Sequence, residues 1–443
     1  MPASSHPSIH PVTSISPADP PPNEPLEPEA RGRFPAFGYR NYRLFFFGQL
    51  VSVTGTWMQS LAQSYLVYEL LGASPFQLGL VNVFQFAPVL LLGIPAGVVA
   101  DRFPKRRLLV MTQSIFALLA GVLTILVLLD RIQLWQVYAV AGVFGITNAL
   151  DMPTRQSLVS EMVGKKAVMN AIALNATMFN TARVVGPAIA GLVLAVFGPV
   201  ACFAINTVSY GGVIIGLLMM RIAPVVRVAS GSAKARLREG VGYVLATPTI
   251  YRTIILVGAV GTFGMNFNIW VPMLASDSFG SGAGAYGLLF SAMGIGSLLG
   301  ALTLAMFGRT PSRVRMLGAA IGLGLVEIVL AVAASIPTGI ALGMLTLAIA
   351  GFASSTAMAT ANTTVQTTAA PELRGRVMAV YMTVFAGTTP FGALISGAIA
   401  DQFGVATAVG VGGIITAAAA IAIAWTQRQR LMPETRNVVA HGS

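Results

Sequence analysis

The segment GVVADRFPKRR, Gly97 to Arg107, separates two long apolar stretches of the chain and carries five charged side chains. The stretches on either side, at about 76–100 and 107–129, are each long enough to cross the roughly 30 Å hydrocarbon core of a bilayer as a helix. Because hydrocarbon offers no hydrogen-bond partner to an open backbone, a stretch of this kind must be helical. The segment therefore predicts a hairpin of two membrane-spanning helices joined by a short charged loop.

Apolar stretches of the same kind recur on both sides of this hairpin. Only 9% of the 443 residues are charged and 55% are hydrophobic, which leaves too little polar surface to coat a soluble globule. The chain is therefore predicted to be an all-α membrane protein with twelve transmembrane helices. The predicted helices lie at about 44–69, 76–100, 107–129, 134–153, 167–197, 199–220, 250–275, 284–308, 314–336, 339–368, 376–401 and 404–426.

The two sets of six helices resemble each other at a nearly constant spacing. Gly55 recurs as Gly264, 209 residues later, and Phe197-Gly198 recurs as Phe403-Gly404, 206 residues later. Matches of this kind, with the helices in the same orientation, indicate a duplication that forms two parallel six-helix bundles. The predicted domains are a disordered Pro-rich cytoplasmic tail at 1–38, an N-terminal bundle at 39–221, a central cytoplasmic loop at 222–248, a C-terminal bundle at 249–427 and a cytoplasmic tail at 428–443.

The positive charges predict the orientation of the helices. All of the 27 lysines and arginines except Arg131 and Arg183 fall on one side of the predicted layout. By the positive-inside rule, both termini and the central loop are expected in the cytoplasm. The positive side chains behind the net charge of +12 are thus explained by the orientation in the membrane, and no nucleic-acid partner is expected. Short loops and the absence of a signal peptide favour a multi-pass protein of the bacterial inner membrane.

The charged loop resembles a motif of the major facilitator superfamily, Gly-x-x-x-Asp-Arg-x-Gly-Arg-Arg, with Pro104 in place of the second glycine. In that family the loop is a cytoplasmic gate. The resemblance implies that its basic residues pair with an acid on another helix end, for which Asp151 is the candidate. The alternative is a positive-inside stop signal that contacts lipid phosphate. The expected gate residues are Gly97, Asp101, Arg102, Lys105, Arg106 and Asp151.

The segment VVGPAIAG, Val184 to Gly191, resembles a motif associated with exporters of the same superfamily. Gly186, Pro187 and Gly191 match it, although small-residue packing would explain the two glycines nearly as well. With the segments NTARVVGPAIAG and PELRGRVMAVY, the chain resembles the branch that contains the enterobactin exporter and related drug:proton antiporters. The arginine-bearing motif that many such antiporters carry in helix 4 is missing, which leaves proton coupling open.

Ionisable side chains inside the predicted helices are candidates for function because they are costly in hydrocarbon. Glu327 and Asp151 are the candidates for proton coupling, although a glutamate bonded to a neighbouring carbonyl would be a sufficient structural explanation for Glu327. Arg183 needs an anion or several carbonyl partners, so it is expected to meet either an acidic group of a substrate or a carboxylate of the protein.

Amide side chains lie at helical spacing on helices that the family resemblance implies line a central cavity. They are expected to bind substrate, and the alternative is that they hold helices together. The expected substrate-binding residues are Gln59, Gln63, Asn148, Asn180, Arg183, Asn266, Trp270 and Asn362.

The sequence contains no metal cluster, no nucleophile with a base and no phosphate-binding glycine loop, so neither an enzyme nor a cofactor is predicted. The predicted function is proton-coupled export of small amphipathic compounds, drugs or siderophores, by alternating access. The expected partners are the substrate, protons and membrane lipid, and the protein is expected to act as a monomer. The alternatives are an uncoupled transporter of lipids or metabolites, and a membrane scaffold without transport activity.

Overall fold

The computed structural model describes residues 34–164, 167–220, 233–279, 282–307, 312–336, 339–370 and 372–440. This part of the chain is almost entirely helical and has no strand. Most of the predicted N-terminal tail, residue 221 and residues 222–232 of the predicted central loop lie outside it. The helices are α1 (Arg40–Tyr65), α2 (Pro75–Arg102), α3 (Lys105–Leu128), α4 (Leu134–Met162), α5 (Val168–Met219), α6 (Ala233–Ala246), α7 (Pro248–Phe263), α8 (Phe267–Met273), α9 (Gly282–Phe307), α10 (Arg313–Ser335), α11 (Ile340–Thr368), α12 (Arg374–Phe403) and α13 (Val405–Ala440).

Nine of the described helical segments have the length and apolar composition needed to cross a membrane. The membrane-protein class and the helical content predicted from the sequence are therefore confirmed. Helix α13 continues to Ala440, past the predicted boundary at 427. At the other end of the chain, Pro35–Gly38 forms a 3₁₀ helix that packs on α5, where the Ala36 amide donates a hydrogen bond to Asn170 Oδ1 at 3.1 Å.

A glycine bends α5 sharply at one position. Gly198 has a φ of 74° and a ψ of −178°, and Pro199, which follows it, has no amide hydrogen to donate. The predicted boundary between 167–197 and 199–220 lies at the same glycine. The repeat partner, Gly404, also has a positive φ, 82°, and separates α12 from α13. The duplicated Phe-Gly pair thus forms an equivalent turn in each half.

Gly198→Ala is expected to lower the free energy of unfolding by about 1–2 kcal/mol, because a Cβ is strained at this positive φ. Gly211→Ala is the matched control, since Gly211 lies in the same helix with ordinary dihedrals and open space around its Cα. Thermal unfolding in detergent measures both. Equal unfolding temperatures for the two variants would contradict the prediction.

The predicted helix at 250–275 is interrupted in the structure. Helix α7 ends at Phe263 and α8 begins at Phe267. Gly264 lies against α13, where a Cβ would be 2.7 Å from Thr416 Oγ1. Asn266 caps α8 through its carbonyl oxygen, which accepts from the amides of Ile269 and Trp270. Hydropathy alone cannot detect this break, because the residues on both sides of it are apolar.

The predicted central loop contains a helix, α6. Its sequence mixes charged and apolar residues, so the search for long apolar stretches missed it. Glu239 forms an ion pair with Arg376 at the start of α12, and the Tyr243 hydroxyl accepts a hydrogen bond from the Ala370 amide at 3.2 Å. These contacts attach α6 to the end of the molecule at which α12 begins.

The first and second halves of the chain meet chiefly where α2 packs on α12 and α5 packs on α9. Both ends of α5 lie at one end of the molecule, since Tyr42 Oη donates to Ala171 O and Arg106 donates to Leu217 O. We call this the arginine-rich end. The turn at Gly198 is therefore at the opposite, far end.

Two close approaches between the halves lie towards the far end. Gly191 in α5 and Gly287 in α9 are so close that a Cβ on Gly191 would lie 2.5 Å from Gly287 Cα. Gly79 in α2 approaches the carbonyl of Ala393 in α12 in the same way, at 2.6 Å. Small residues at these points let the backbones pack directly.

Candidate functional site

A small cavity lies where α1 and α5 of the first half meet α8 and α9 of the second. We call it the junction cavity. Its walls are mostly aromatic and hydroxyl side chains, and it has room for about one water molecule. It is lined by Trp57, Ser60, Leu61, Ser64, Pro187, Asn268, Tyr286 and Phe290.

Arg183 lies beside this cavity, one helical turn before Pro187 on α5. Its guanidinium stands over the ring of Trp57, 5.8 Å from the centroid, and Trp57 also makes an edge-to-face contact with Phe179 at 5.9 Å. No carboxylate forms an ion pair with Arg183 among the side chains that the structure describes. Of the two partners expected from the sequence, a protein carboxylate is thus not found in this part of the chain.

Tyr286 contributes a second polar group to the junction cavity. The side chain is only 2% exposed, and the Ser64 hydroxyl is the polar group beside its own hydroxyl. The Ser64 hydroxyl donates to Ser60 O at 3.2 Å, and its oxygen can still accept from Tyr286. Sequence inspection missed Tyr286, because nothing in the α9 sequence distinguishes it from a packing residue.

Three of the predicted substrate-binding residues make contacts between or within helices. Gln59 Oε1 accepts from Asn206 Nδ2 at 2.6 Å and so joins α1 to the part of α5 that follows Gly198. Asn266 Nδ2 donates to Thr262 O at 2.7 Å, and the fully buried Trp270 donates through Nε1 to the Ser396 hydroxyl. These contacts agree with the alternative reading, in which the polar side chains hold helices together.

The remaining amides have different surroundings. Gln63 is buried in α1, whereas Asn148 and Asn362 are half-buried, and Asn362 Oδ1 accepts from Gln366. The side chain of Asn180 lies outside the described set. Substrate contact by these four residues stays a prediction.

The basic residues of the gate loop, Gly97–Arg107, contact the ends of neighbouring helices. Lys105 Nζ donates to Glu161 Oε1 at 2.6 Å, and Arg106 donates to the carbonyls of Leu217 and Leu218 at 2.6 and 2.5 Å. The last carbonyls of a helix carry partial negative charge, which favours a guanidinium there. The loop thus ties α3 to the C-terminal ends of α4 and α5. Arg102 is exposed, and the side chain of Asp101 lies outside the described set.

Asp151 does not pair with the gate-loop arginines, so that expectation is wrong. It is fully buried and accepts hydrogen bonds from Thr112 Oγ1 at 2.7 Å and Gln113 Nε2 at 2.8 Å. Its other oxygen pairs with Arg155, one turn later on α4. Arg155 also donates to Gln49 Oε1 of α1 at 2.8 Å. The i,i+4 spacing of Asp151 and Arg155 was the sequence signal for this pair.

Glu327 lies apart from the junction cavity, between α10 and α13. It is fully buried, and neither carboxylate oxygen has a hydrogen-bond partner in the described part of the chain. Gly413 of α13 packs directly on it, since a Cβ there would be 2.9 Å from Glu327 Cβ. Thr416, one turn further along α13, also has a buried hydroxyl without a partner among these residues. The structural explanation offered from the sequence was a hydrogen bond from Glu327 to a neighbouring carbonyl. No such hydrogen bond is found in the described part of the chain.

At the far end, the two halves are joined by a hydrogen bond between repeat-equivalent positions. Tyr68 Oη donates to Asp277 Oδ2 at 2.7 Å, and the two residues are 209 positions apart. They lie on the π-helical turns Leu66–Leu70 and Leu274–Ser278, which follow α1 and α8. The duplicated halves thus meet at the far end through equivalent turns.

Comparison with known proteins identifies relatives over nearly the whole chain. The family model described as transmembrane secretion effector matches residues 32–439. The staphyloferrin A transporter of Staphylococcus aureus (strain NCTC 8325 / PS 47) is 24% identical over 84% of this chain and 93% of that protein. The multidrug efflux pump Tap of Mycolicibacterium fortuitum is 27% identical over 82% and 89%, and macrolide efflux protein A of Streptococcus pyogenes is 23% identical over 83% and 92%.

Solved structures share the fold. A POT family transporter in complex with 5-aminolevulinic acid aligns with a TM-score of 0.70 at 11% identity, over 90% of this chain and 98% of that one. The nucleoside transporter NupG aligns with a TM-score of 0.64 at 15% identity, over 87% and 97%. At such identities the likeness concerns the fold alone.

Proposed function

This chain belongs to the transmembrane secretion effector family of major facilitator superfamily transporters, and from that premise we propose that it exports small amphipathic compounds by alternating access. It is a multi-pass membrane transporter and not an enzyme. Relatives named for drug, macrolide and siderophore transport support export of one of these substrate classes.

The proposed transporter has twelve membrane crossings in two six-helix bundles. Nine described segments are long and apolar enough to cross a membrane, and one of these, α5, has 52 residues. A straight helix of that length would measure about 78 Å, more than twice the hydrocarbon thickness, so the turn at Gly198 supports two crossings. Helices α1 and α4, with 26 and 29 residues, supply the other two, and polar side chains in them such as Gln49, Gln59 and Asp151 are buried in the protein.

In the proposed orientation the arginine-rich end is cytoplasmic and the far end faces outwards, in keeping with the positive-inside rule. The observation that carries alternating access is the contact between the halves near the far end, where Gly191 meets Gly287 and Tyr68 bonds Asp277. Helices that contact each other near the far end can rock about that contact and open the space between the halves to either side in turn.

Accumulation of a fluorescent amphipathic dye in inverted bacterial vesicles tests this function. Vesicles that contain the protein are expected to concentrate the dye when a proton gradient is formed and to release it when an uncoupler is added. Vesicles without the protein are the control. Equilibration of the dye without accumulation would favour the uncoupled transporter, and no movement of any dye would favour the scaffold.

Gly191→Val is expected to open the far end by forcing α5 away from α9. An overpacked contact costs about 1–3 kcal/mol, which corresponds to a shift of about 5- to 150-fold in the balance of conformations. The measurement is the labelling rate of Ser64→Cys by a membrane-impermeant maleimide added from outside, in a Cys202→Ala background. Gly142→Val is the control, because no atom lies within 4 Å of a Cβ at that position. Equal labelling rates would contradict the proposed closure.

A further inference from the structure

Two buried polar side chains, Glu327 and Thr416, lie on helices that pack together, α10 and α13. Both residues are fully buried, and the two carboxylate oxygens and the hydroxyl oxygen have no hydrogen-bond partner within the described residues. A buried polar atom without a partner costs free energy, so three such atoms at one helix interface need a reason. The packing of the two helices indicates what that reason is.

The packing of α10 on α13 directs the two side chains towards one another. A Cβ on Gly413 would lie 2.9 Å from Glu327 Cβ. A Cβ on Gly324, three residues earlier on α10, would lie 2.8 Å from Ala417 Cβ, four residues later on α13. The two helices are therefore antiparallel. Because a helical side chain leans towards the N-terminus of its own helix, Glu327 leans towards the level of Thr416, and Thr416 leans towards the level of Glu327.

The first half shows what a polar side chain does at the equivalent position when a partner is present. Tyr210 precedes Thr416 by 206 residues, the spacing of the duplicated Phe-Gly pairs, and its hydroxyl shares a hydrogen bond with the Thr56 hydroxyl at 3.1 Å. The residue 209 positions after Thr56 is Met265, whose thioether is at most a weak acceptor. The partner on that side is thus lost in the second half, and the polar group that remains is Glu327 on α10.

Thr416 also contacts the break between α7 and α8. A Cβ on Gly264, at the end of α7, would lie 2.7 Å from Thr416 Oγ1. Gly412 of the same helix packs on the carbonyl of Phe263 and on the ring of Trp270, so α13 contacts both sides of the break. Helix α8 in turn contacts α1 of the first half. The place of the Thr416 hydroxyl therefore depends on the segment that joins α7 to α8.

Neighbouring charges do not compensate an ionised Glu327. Helices α11 and α13 pack on α10, and neither carries an ionisable side chain at 340–368 or at 405–426. The other ionisable residues on α10 and on the π-helical turn that packs on it are Arg313, Arg315 and Asp277. The two arginines are at least about 18 Å away along α10, and the third residue is another acid. The ionised carboxylate thus depends on uncharged hydrogen-bond donors.

We propose that Thr416 is a positioning residue for Glu327, whose ionised carboxylate accepts a hydrogen bond from the Thr416 hydroxyl, and that the break between α7 and α8 controls this bond. A hydrogen bond to the charged form favours release of the proton. A movement of the break displaces the hydroxyl, and the carboxylate then keeps its proton. Proton release is thereby tied to the arrangement of the helices. This assignment rests on the proposed export function, since it names the residue that regulates the candidate proton site.

Infrared difference spectroscopy of the purified protein in detergent tests the assignment. The carboxyl band that is present in the wild type and absent in Glu327→Gln belongs to Glu327, and its loss with rising pH gives the midpoint of its titration. Thr416→Val is expected to raise this midpoint by about one to two pH units, because a hydrogen bond to a charged group is lost. Thr416→Ser keeps the hydroxyl and should titrate as the wild type does.

A second variant leaves Thr416 in place. Gly264→Ala would put a Cβ against the Thr416 hydroxyl and is also expected to raise the midpoint. Gly258→Ala is its control on α7, because a Cβ there makes an ordinary contact of 3.5 Å with Val384. Thr407→Val is the control on α13, since the exposed Thr407 hydroxyl donates to Phe403 O at 2.8 Å. Gel filtration checks each variant, and if Thr416→Val does not fold, Gly264→Ala decides.

The assignment falls if Thr416→Val titrates at the wild-type pH, if Thr416→Ser titrates as Thr416→Val does, or if the wild-type band persists to the highest pH at which the protein stays folded. The vesicle assay separates this proposal from export. A midpoint that depends on Thr416, without movement of any dye, would overturn the export function and leave the positioning role intact. Accumulation that is lost in Glu327→Gln, with a midpoint unchanged in Thr416→Val, would support export and overturn the positioning role.

Discussion

Glu327→Gln is expected to abolish accumulation of substrate against a gradient while leaving exchange down a gradient intact. Both carboxylate oxygens of Glu327 are buried without a partner in the described structure, so an ionised carboxylate there would have no compensating charge. A group in such a place can take up and release a proton as its surroundings change between the two conformations, whereas glutamine keeps the shape and cannot. The measurement is substrate accumulation in vesicles with an imposed pH gradient, compared with exchange when the pH is equal on both sides.

Glu372→Gln is the control for this experiment, because Glu372 is an exposed acid just before α12. It should transport as the wild type does. Unchanged accumulation in Glu327→Gln would remove this glutamate from the coupling mechanism. Equal loss of accumulation and exchange would instead assign it a role in packing of α10 against α13.

Asp151→Asn is expected to lower the free energy of unfolding by about 3–5 kcal/mol, because it leaves Arg155 without its counter-charge inside α4. The asparagine can still accept hydrogen bonds from Thr112 and Gln113. The loss of stability therefore measures the charge interaction between Asp151 and Arg155. The shift of the thermal unfolding midpoint in detergent measures it. This reading makes Asp151 a residue of structural importance, whereas its candidacy for proton coupling predicts normal stability with lost accumulation.

Two comparisons strengthen this test. The double variant Asp151→Asn with Arg155→Gln should recover part of the lost stability, because the unpaired arginine is gone. Glu239→Gln breaks the exposed pair with Arg376 and should cost less than about 1 kcal/mol. A single Asp151→Asn variant that is as stable as Glu239→Gln would contradict the role assigned to the buried pair.

The sequence predicted the helices well because the physical cause acts locally. Hydrocarbon requires about 20 apolar residues for each crossing and a closed backbone, so hydropathy alone locates most of α2, α3 and α9 to α12. The predicted boundary between 167–197 and 199–220 also lies at the turn of Gly198. The break between α7 and α8 was missed because apolar residues flank it, and the helix α6 was missed because its sequence mixes charged and apolar residues. The contacts that these elements make, with Thr416 and Arg376, are distant in the sequence.

The candidate site was predictable only in part. Arg183 and Glu327 could be found in the sequence because an ionisable group in an apolar stretch is rare and costly. Their surroundings could not be predicted from the sequence. The pair that forms, Asp151 with Arg155, and a pair that was expected, Asp151 with Arg106, consist of the same residue types. Hydropathy likewise cannot distinguish Gln59, which bonds Asn206, from an amide that faces a cavity.

The sequence by itself determined the class of the protein, because membrane-spanning helices depend on residue type and on spacing along the chain. The two-bundle arrangement and the gate role of the charged loop stay predictions. Only the tertiary structure decided which charges have partners, where Gly191 meets Gly287, and that Trp57 and Tyr286 line one cavity while Arg183 stands over the ring of Trp57. Those facts depend on distances between helices that are remote in sequence. Such distances follow from how side chains pack across the two halves.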